Sequence, residues 1–311
     1  MSELSKKVEG AVKRLRTFEP PEGYYLAFSG GKDSVVVKAL CDLAGVKYDG
    51  HYCLTTADPP ELVRFVRDRH ADISIDKAFY PDDYRNERLA GEQITMWNLI
   101  PEKLMPPTRL VRYCCEKLKE RGGDGRVILT GVRWAESVNR RDNQGPIVIQ
   151  GINSADELEG QESLFDDDPT IQRSKRFDSA VLMADNDENR KLVEFCYPHH
   201  KTTVNPIVEW EDADVWGFIK AERVPYCELY DCGYSRLGCI GCPMSRPRKR
   251  LAEFEAFPKY RYHYLKAFER MLEKRRERAE REPGHSVWKD MDGHELEHPT
   301  AQDVFDWWIS E

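Results

Sequence analysis

The sequence predicts an α/β fold: a doubly wound, mostly parallel sheet followed by a helical C-terminal extension. Three observations lead there. Short apolar runs such as "YYLAF" and "RVILTGV" alternate with segments of helical periodicity, the pattern of a sheet covered on both faces. The first of these runs passes through a glycine pair straight into a helix, and from Pro247 onward only helical periodicity remains.

Taken in order, "SELSKKVEGAVKRLRTF" has Leu4, Val8, Val12 and Leu15 on one side and predicts an N-terminal helix packed on the neighbouring domain. "YYLAF" is a buried strand, "SVVVKALCDLA" a helix, "KYDGHYCLTT" a strand, "PPELVRFVRDRH" a helix begun by proline, and "DISIDKAF" a strand. "RVILTGV" is a further buried strand, and "TTVNPIVEW" with "EDADVWGFIKAER" is a strand-to-helix passage. Residues 151–177, containing "SADELEGQESLFDDDPT", are acidic and lack periodic apolar positions, which predicts a mobile excursion. "RPRKRLAEFEAF", "PKYRYHYLKAFERMLEKRRERAERE" and "PTAQDVFDWWIS" are helical, the last anchored by Val304, Phe305, Trp307 and Trp308. The resulting organisation is a helix over 1–20, a nucleotide-binding domain over 21–246 and a helical extension over 247–311.

With 47 basic and 55 acidic residues the net charge is −8, so a polyanion must be held by a local basic patch. No apolar run approaches the roughly 18 residues of a membrane span, and the start "MSELSKKVEGAVKRLR" lacks the apolar core of a signal peptide. A cytoplasmic protein that does not enter the membrane is expected. Nine cysteines, an odd number without an export signal, favour metal or redox chemistry over a disulfide framework. Cys41, Cys53 and Cys196 lie in apolar surroundings and read as core residues.

In "FSGGKDS" a strand ends at Phe28, and Gly30 and Gly31 let the backbone approach a ligand closely. Ser29, Asp33 and Ser34 supply hydroxyl, cap and backbone donors where the next helix begins, and Lys32 adds a full charge. Such a nest suits a pyrophosphate or sulfate-like group. It is not the GxxxxGK[ST] loop.

Of the six that remain, five stand out besides Cys227: Cys114 and Cys115 in "RYCCEKLKE", and Cys232, Cys239 and Cys242 in "YDCGYSRLGCIGCPM". A CxxC followed by proline places two thiolates on one tight turn, suited to zinc or an iron–sulfur cluster. Adjacent cysteines make a strained disulfide, yet both can reach one cubane cluster. Two buried core cysteines beside a separate zinc or redox pair remain the alternative. Arg133 follows a buried strand at its carboxyl end, where open parallel sheets place ligands, and Arg140 and Arg141 follow closely. Guanidinium groups suit capture of phosphate or sulfate; the alternative is a surface pair of Glu136 with Arg140. Thr55 and Thr56, at the end of the second strand, are candidate neighbours of a base.

The hexapeptide "SGGKDS" resembles the PP-loop of the adenine-nucleotide alpha-hydrolase-like superfamily, whose members cleave ATP between its α and β phosphates or bind an adenylyl sulfate. From about Tyr24 to Pro243 the chain resembles the phosphoadenosine phosphosulfate (PAPS) reductase family. "TADPPELVRF" is similar to the family's DTG…PET segment, with Thr-Ala-Asp in place of Asp-Thr-Gly. "CCEKLK" is similar to its CCxxxK element, and "GVRWAESVNRR" to GxRxxES…R, carrying Arg133, Glu136, Ser137 and Arg140. "NPIVEWEDADVWGFI" and "VPYCELYDCGYSRLGCIGCP" resemble the segments before and around its second cysteine pair.

The resemblance implies a [4Fe–4S] cluster on Cys114, Cys115, Cys239 and Cys242, with Cys232 as an alternative ligand in place of Cys114. It implies nucleotide contacts from Ser29, Gly30, Gly31, Lys32, Asp33, Ser34, Thr55, Gly131, Arg133 and Arg140. Lys32, Asp33, Lys119, Arg133 and Cys232 are the implied catalytic candidates, with ATP, adenylyl sulfate or PAPS as substrate and Mg2+ as accompanying ion. Sulfonucleotide reductases attack sulfur with a cysteine near the C-terminus, whereas the last cysteine here is Cys242. Sulfur transfer to DNA or tRNA after ATP activation, with a cysteine desulfurase as donor, is therefore expected ahead of sulfite release with thioredoxin. A nucleotide or cluster sensor is the third reading. The basic and aromatic segments "RPRKR", "YRYHYLK" and "EKRRERAER" are either a nucleic-acid face or one side of an amphipathic helix.

Overall fold

Runs of apolar residues that end in glycine or polar turns become the strands, and the helices between them bury one face each. The computed structural model describes residues 2–151, 171–174, 179–282, 284–289, 293, 295–296 and 298–310. The chain divides into two compact units. The first comprises Met1–Tyr52, Glu61–Ile75 and Gly122–Leu237, and the second Cys53–Pro60, Asp76–Arg121 and Gly238–Glu311.

The first unit is built on the sheet. Strands β1 (Tyr24–Ala27), β2 (Tyr48–Cys53), β3 (Ile73–Asp76), β4 (Val127–Leu129), β5 (Ile147–Gln150), β6 (Ile171–Arg173), β7 (Ser179–Leu182) and β8 (Thr202–Val204) take the order β3-β2-β1-β4-β8-β5-β7-β6. β1 pairs in parallel with β2 and β4, and β4 with β8, setting Leu26 beside Leu129 and Leu129 beside Val204. The sheet then changes direction, with β5 antiparallel to β8 and β7, and β7 antiparallel to β6.

This antiparallel edge is not anticipated by the sequence. "PIVIQ" and "SAVLM" are short apolar runs without alternation, because Ile147, Val148, Ile149, Ala180, Val181 and Leu182 are all buried. The residues of β6 fall within the segment 151–177 assigned to a mobile excursion, and ladder pairing with Ala180–Leu182 orders them. Of that predicted excursion, residues 152–170 and 175–177 lie outside the described residues.

Helix α1 (Glu3–Thr17) starts at Ser2, whose hydroxyl accepts the Ser5 N–H, and packs on α2 (Lys32–Ala44). Buried Arg14 fastens it through Asp185, Glu209 and the Pro206 carbonyl. Cys41 and Cys196 are core residues as predicted, and Cys53 is half-buried.

The second unit is helical. Besides α3 (Pro60–Arg69), α6 (Val138–Asn143), α7 (Asp187–Cys196) and α8 (Asp212–Ala221), the chain forms α4 (Met96–Lys103) and α5 (Tyr113–Leu118), which share a core with α9 (Pro247–Ala256), α10 (Pro258–Arg281) and α11 (Ala301–Ser310). Aromatic rings fill it: Tyr264 lies 4.6 Å from Trp308 and Phe254 5.2 Å from Phe305, between ring centres. The C-terminal helices are thus part of a core that begins at residue 57. Among the described residues no helix is long and apolar enough to cross a membrane.

Candidate functional site

The first candidate centre lies where β1 runs through Phe28 into α2. α2 begins at Gly31 with no side-chain cap, leaving first-turn N–H groups without helical acceptors at its positive end. The Ser34 hydroxyl donates to the Gly31 carbonyl at 2.9 Å, and the Lys32 N–H donates to the Tyr230 hydroxyl at 2.8 Å, holding the turn. Gly30 has φ +70°, and a Cβ there would stand 2.7 Å from Leu62, so the turn requires glycine. Gly131 follows β4 for a different reason. A Cβ on it would stand 2.9 Å from the Asp33 Cβ, so the chain passes close against the helix start.

Behind this turn is a network of buried charge. Lys32 is buried and its ammonium lies 3.1 Å from Asp33 Oδ2 and 3.3 Å from Asp212 Oδ1. Arg133, only 2% exposed, donates through Nε to Asp33 Oδ1 (2.7 Å), through Nη2 to Asp212 Oδ1 (2.6 Å) and through Nη1 to the Trp210 carbonyl (3.1 Å). The guanidinium expected to grip the anion has its fork occupied by two carboxylates and a carbonyl, and so braces the loop from behind. Arg140 pairs with Glu136, the alternative allowed by their spacing, and the Arg133 N–H donates to the same carboxylate.

Burial alone would raise the Asp212 carboxyl, but the Arg133 hydrogen bond and the Lys32 and Arg133 charges outweigh it and hold the group below the usual carboxylate range. A depressed folded-state pKa stabilises the fold above the ordinary carboxylate pKa, and that contribution is lost as pH falls through the folded value. We expect Asp212→Asn to lower stability at pH 6 by under about 1 kcal/mol, because the carboxylate is largely solvated. The gap to the parent chain should close as pH drops below about 4. Urea midpoints at pH 6 and pH 3 check this; a gap that widens in acid would contradict it.

The second candidate centre is a group of thiols in the helical unit. Cys114 and Cys115 open α5, and Cys239 and Cys242 lie on the turn before α9. Cys114 interacts electrostatically with Cys115, Cys239 and Cys242. A hydrogen bond shared within the adjacent pair raises Cys114 and, with Lys119 and Arg112, lowers Cys115 to about 6. The charge of Cys239, then Asp58, favours the Lys119 ammonium and holds it above the ordinary lysine range against burial. At Cys239 burial wins over Lys119 and pushes the thiol up to about 11.

The turn carrying the second pair is held from several sides. The Tyr264 hydroxyl donates to the Ile240 carbonyl at 3.0 Å, and the Gly241 N–H donates to Glu253 Oε2 at 2.9 Å. Arg109 donates to the Pro243 carbonyl at 3.1 Å and to that of Ser245 at 3.3 Å. Thr55 belongs here. Its N–H donates to Asp58 Oδ2, and its hydroxyl lies 3.3 Å from Cys239 Sγ. Thr56, at φ +64°, accepts the Met96 N–H.

Among the described residues no three His, Cys, Asp or Glu side chains are grouped so as to hold a single metal ion. The donor chemistry fits a multi-iron cluster: four thiols from two turns, one already of low pKa, beside a lysine ammonium. Cys114, Cys115, Cys239 and Cys242 are the residues that would hold it. Cys232 belongs to the other unit, on an exposed turn near buried Cys227.

Sequence reasoning missed Asp212 and Tyr230. Both are ordinary residue types far from the loop, although each lies in a segment quoted for the family resemblance, and only the fold brings them to Lys32. The basic helices, meanwhile, use much of their charge internally. Arg270 donates to the Trp97 carbonyl, Arg275 to that of Leu104 and Arg276 to that of Pro299, while Lys274 pairs with Glu102. Tyr264 and Phe268 are core residues.

A glycine turn with buried lysine and arginine stands here at the carboxyl end of parallel strands, the place where open α/β sheets bind their ligands. Residues 23–245 match the model of the phosphoadenosine phosphosulfate reductase domain, and the chain belongs to that family. It is 44% identical over 39 residues to an adenosine 5'-phosphosulfate reductase of Allochromatium vinosum, covering 12% of this chain and 15% of that protein. It is 26% identical over 230 residues to protein MJ0066 of Methanocaldococcus jannaschii, covering 70% of this chain and 35% of that one. The chain thus spans about a third or less of the length of these relatives. The crystal structure of a phosphoadenylyl-sulfate reductase from Candida auris, a phosphate complex, aligns with a TM-score of 0.40 at 15% identity, over 77% of this chain and 96% of that one.

Proposed function

We propose that this chain binds ATP on the Ser29–Ser34 turn and activates it at the α phosphate for sulfur transfer to a nucleic acid. An acceptor oxygen attacks the α phosphorus, the α–β bridge breaks, and pyrophosphate leaves with Mg2+. The terminal sulfur of a persulfide carried by a cysteine desulfurase then displaces AMP, leaving the acceptor joined to the donor cysteine by a disulfide, and an external dithiol reductant cleaves that bond, becoming a disulfide itself and leaving the sulfur on the acceptor. The helix start and Lys32 stabilise the departing negative charge, while Asp33 and Arg133 hold the turn in shape. Ser29, Gly30, Gly31, Asp33, Ser34 and Gly131 line the phosphate position, with Arg140 at its edge. Cys114, Cys115, Cys239 and Cys242 would hold a [4Fe–4S] cluster, a group that supplies sulfur or electron chemistry when bound, and Lys119 balances its charge.

The observation that carries this reading is the electrostatic grouping of Cys114 with Cys115, Cys239 and Cys242, and of Lys119 with Cys239 and Cys242. With those four thiols as cluster ligands, none of them serves as a separate nucleophile. The second reading, reduction of adenylyl sulfate or PAPS with sulfite release to thioredoxin, is favoured by one fact: of the nine cysteines, Cys232 is exposed.

Anaerobically reconstituted protein separates the two. Pyrophosphate release from ATP is expected to rise at least about tenfold over background with DNA or tRNA, a gain of about 1.4 kcal/mol in barrier. Sulfite release from adenylyl sulfate or PAPS, abolished by Cys232→Ser, would establish the second reading instead. Tight nucleotide binding with neither product would reduce the protein to a sensor.

A further inference from the structure

The side chain that the proposed chemistry leaves unexplained is Arg250, on α9. It is fully buried, at 0% exposure. Its guanidinium lies 4.2 Å from the centre of the Trp308 ring, and Nη1 donates to the Trp308 carbonyl at 2.6 Å. Nε and Nη2 are buried and, among the described residues, have no hydrogen-bond partner. Nor does the nearest carboxylate on the helix answer the charge. Glu253 is turned to the Gly241 N–H, and its other oxygen lies 3.8 Å from Lys249. A buried cation with two unanswered donors is costly, and a fold retains one where an anion completes it.

The guanidinium stacks on an indole that a second element also touches. Gly241 abuts the same ring: a Cβ there would be 3.1 Å from Trp308 Cη2, and it would also meet Phe254. Gly241 immediately precedes Cys242, so the guanidinium and the turn carrying the second thiol pair pack against the same indole. Cys242 is among the groups that act electrostatically on Arg250. A thiolate-ligated iron–sulfur centre carries net negative charge and accepts hydrogen bonds at its sulfurs, and both govern its reduction potential.

We propose that Arg250 is a buried counter-cation and positioning residue of the cysteine centre, its Nε and Nη2 donors answered by the anionic sulfur of Cys242 and the bound cluster. The proposal rests on the four-thiol group holding an iron–sulfur cluster. It assigns the centre a second cation besides Lys119, carried on α9 and anchored to the backbone carbonyl of residue 308, which Trp308→Phe retains.

Full-length protein reconstituted with iron and sulfide under argon, with redox titration followed by electron paramagnetic resonance, tests this. Arg250→Met should still bind iron, with a midpoint shifted negative by about tenfold in the reduced-to-oxidised ratio, or about 59 mV for one electron. Arg250→Lys should recover at least half of the shift, and Trp308→Phe, which keeps the cation, should leave the midpoint unchanged. An Arg250→Met midpoint equal to the parent's would overturn the proposal, as would an equal shift in Trp308→Phe, which would make Arg250 a packing residue. If Arg250→Met does not fold, Arg250→Gln makes the same comparison with the same expected negative shift, and an unchanged midpoint there is equally decisive. A parent chain that takes up no iron would instead remove the cluster reading, and this proposal with it.

Discussion

Arg133→Met is expected to lower the unfolding free energy by about 2 kcal/mol, because it removes a buried cation that answers a part-buried carboxylate, a largely exposed one and a buried carbonyl. Asp33 would lose its 2.7 Å partner, Asp212 its 2.6 Å partner and the Trp210 carbonyl its donor. The loop itself would remain, with Lys32 alone facing two carboxylates. Pyrophosphate binding should weaken by about tenfold or more as Asp33 turns toward the anion site. Arg133→Lys should restore part of the stability but not the binding, since an ammonium cannot reproduce a three-way fork. Urea denaturation and calorimetric titration with pyrophosphate measure the two effects. Lost binding at unchanged stability would place Arg133 on the ligand, as its sequence position suggests, and not behind the loop.

Cys239→Ser is expected to cut iron from about four per chain to below one, with loss of the brown charge-transfer absorbance. The apo protein should change in stability by less than about 1 kcal/mol, because a serine hydroxyl can still reach Thr55. Iron analysis and denaturation of the apo form separate the two. Full iron content in the variant would exclude Cys239 as a ligand.

The alternating strands and helices were legible because each strand is a short apolar run bounded by turn residues. The antiparallel edge was not, since Ile147–Gln150 and Ser179–Leu182 flank an acidic stretch whose composition points to loop. The glycine turn could be read from spacing alone: backbone geometry at Gly30 leaves few other residue choices. Arg133 was visible but its task was not. A guanidinium that captures an anion and one that braces two carboxylates have the same sequence signature, and only Asp212, 79 positions away, distinguishes them. Arg250 shows the same difficulty. In "RPRKR" it resembles its neighbours, yet it is buried on Trp308 while Arg246 and Arg248 are exposed.

The second unit is gathered from three separate stretches, and this has a consequence during synthesis. Its core joins Ala57–Leu118 to Ile240–Ile309, so the first cysteine pair leaves the ribosome about 120 residues before the second. At ordinary elongation rates the interval is roughly 6–25 s, during which Cys114 and Cys115 have neither Trp308 nor the second pair to enclose them. The adjacent thiols are therefore more open to oxidation in the nascent protein than after the second stretch has joined the core.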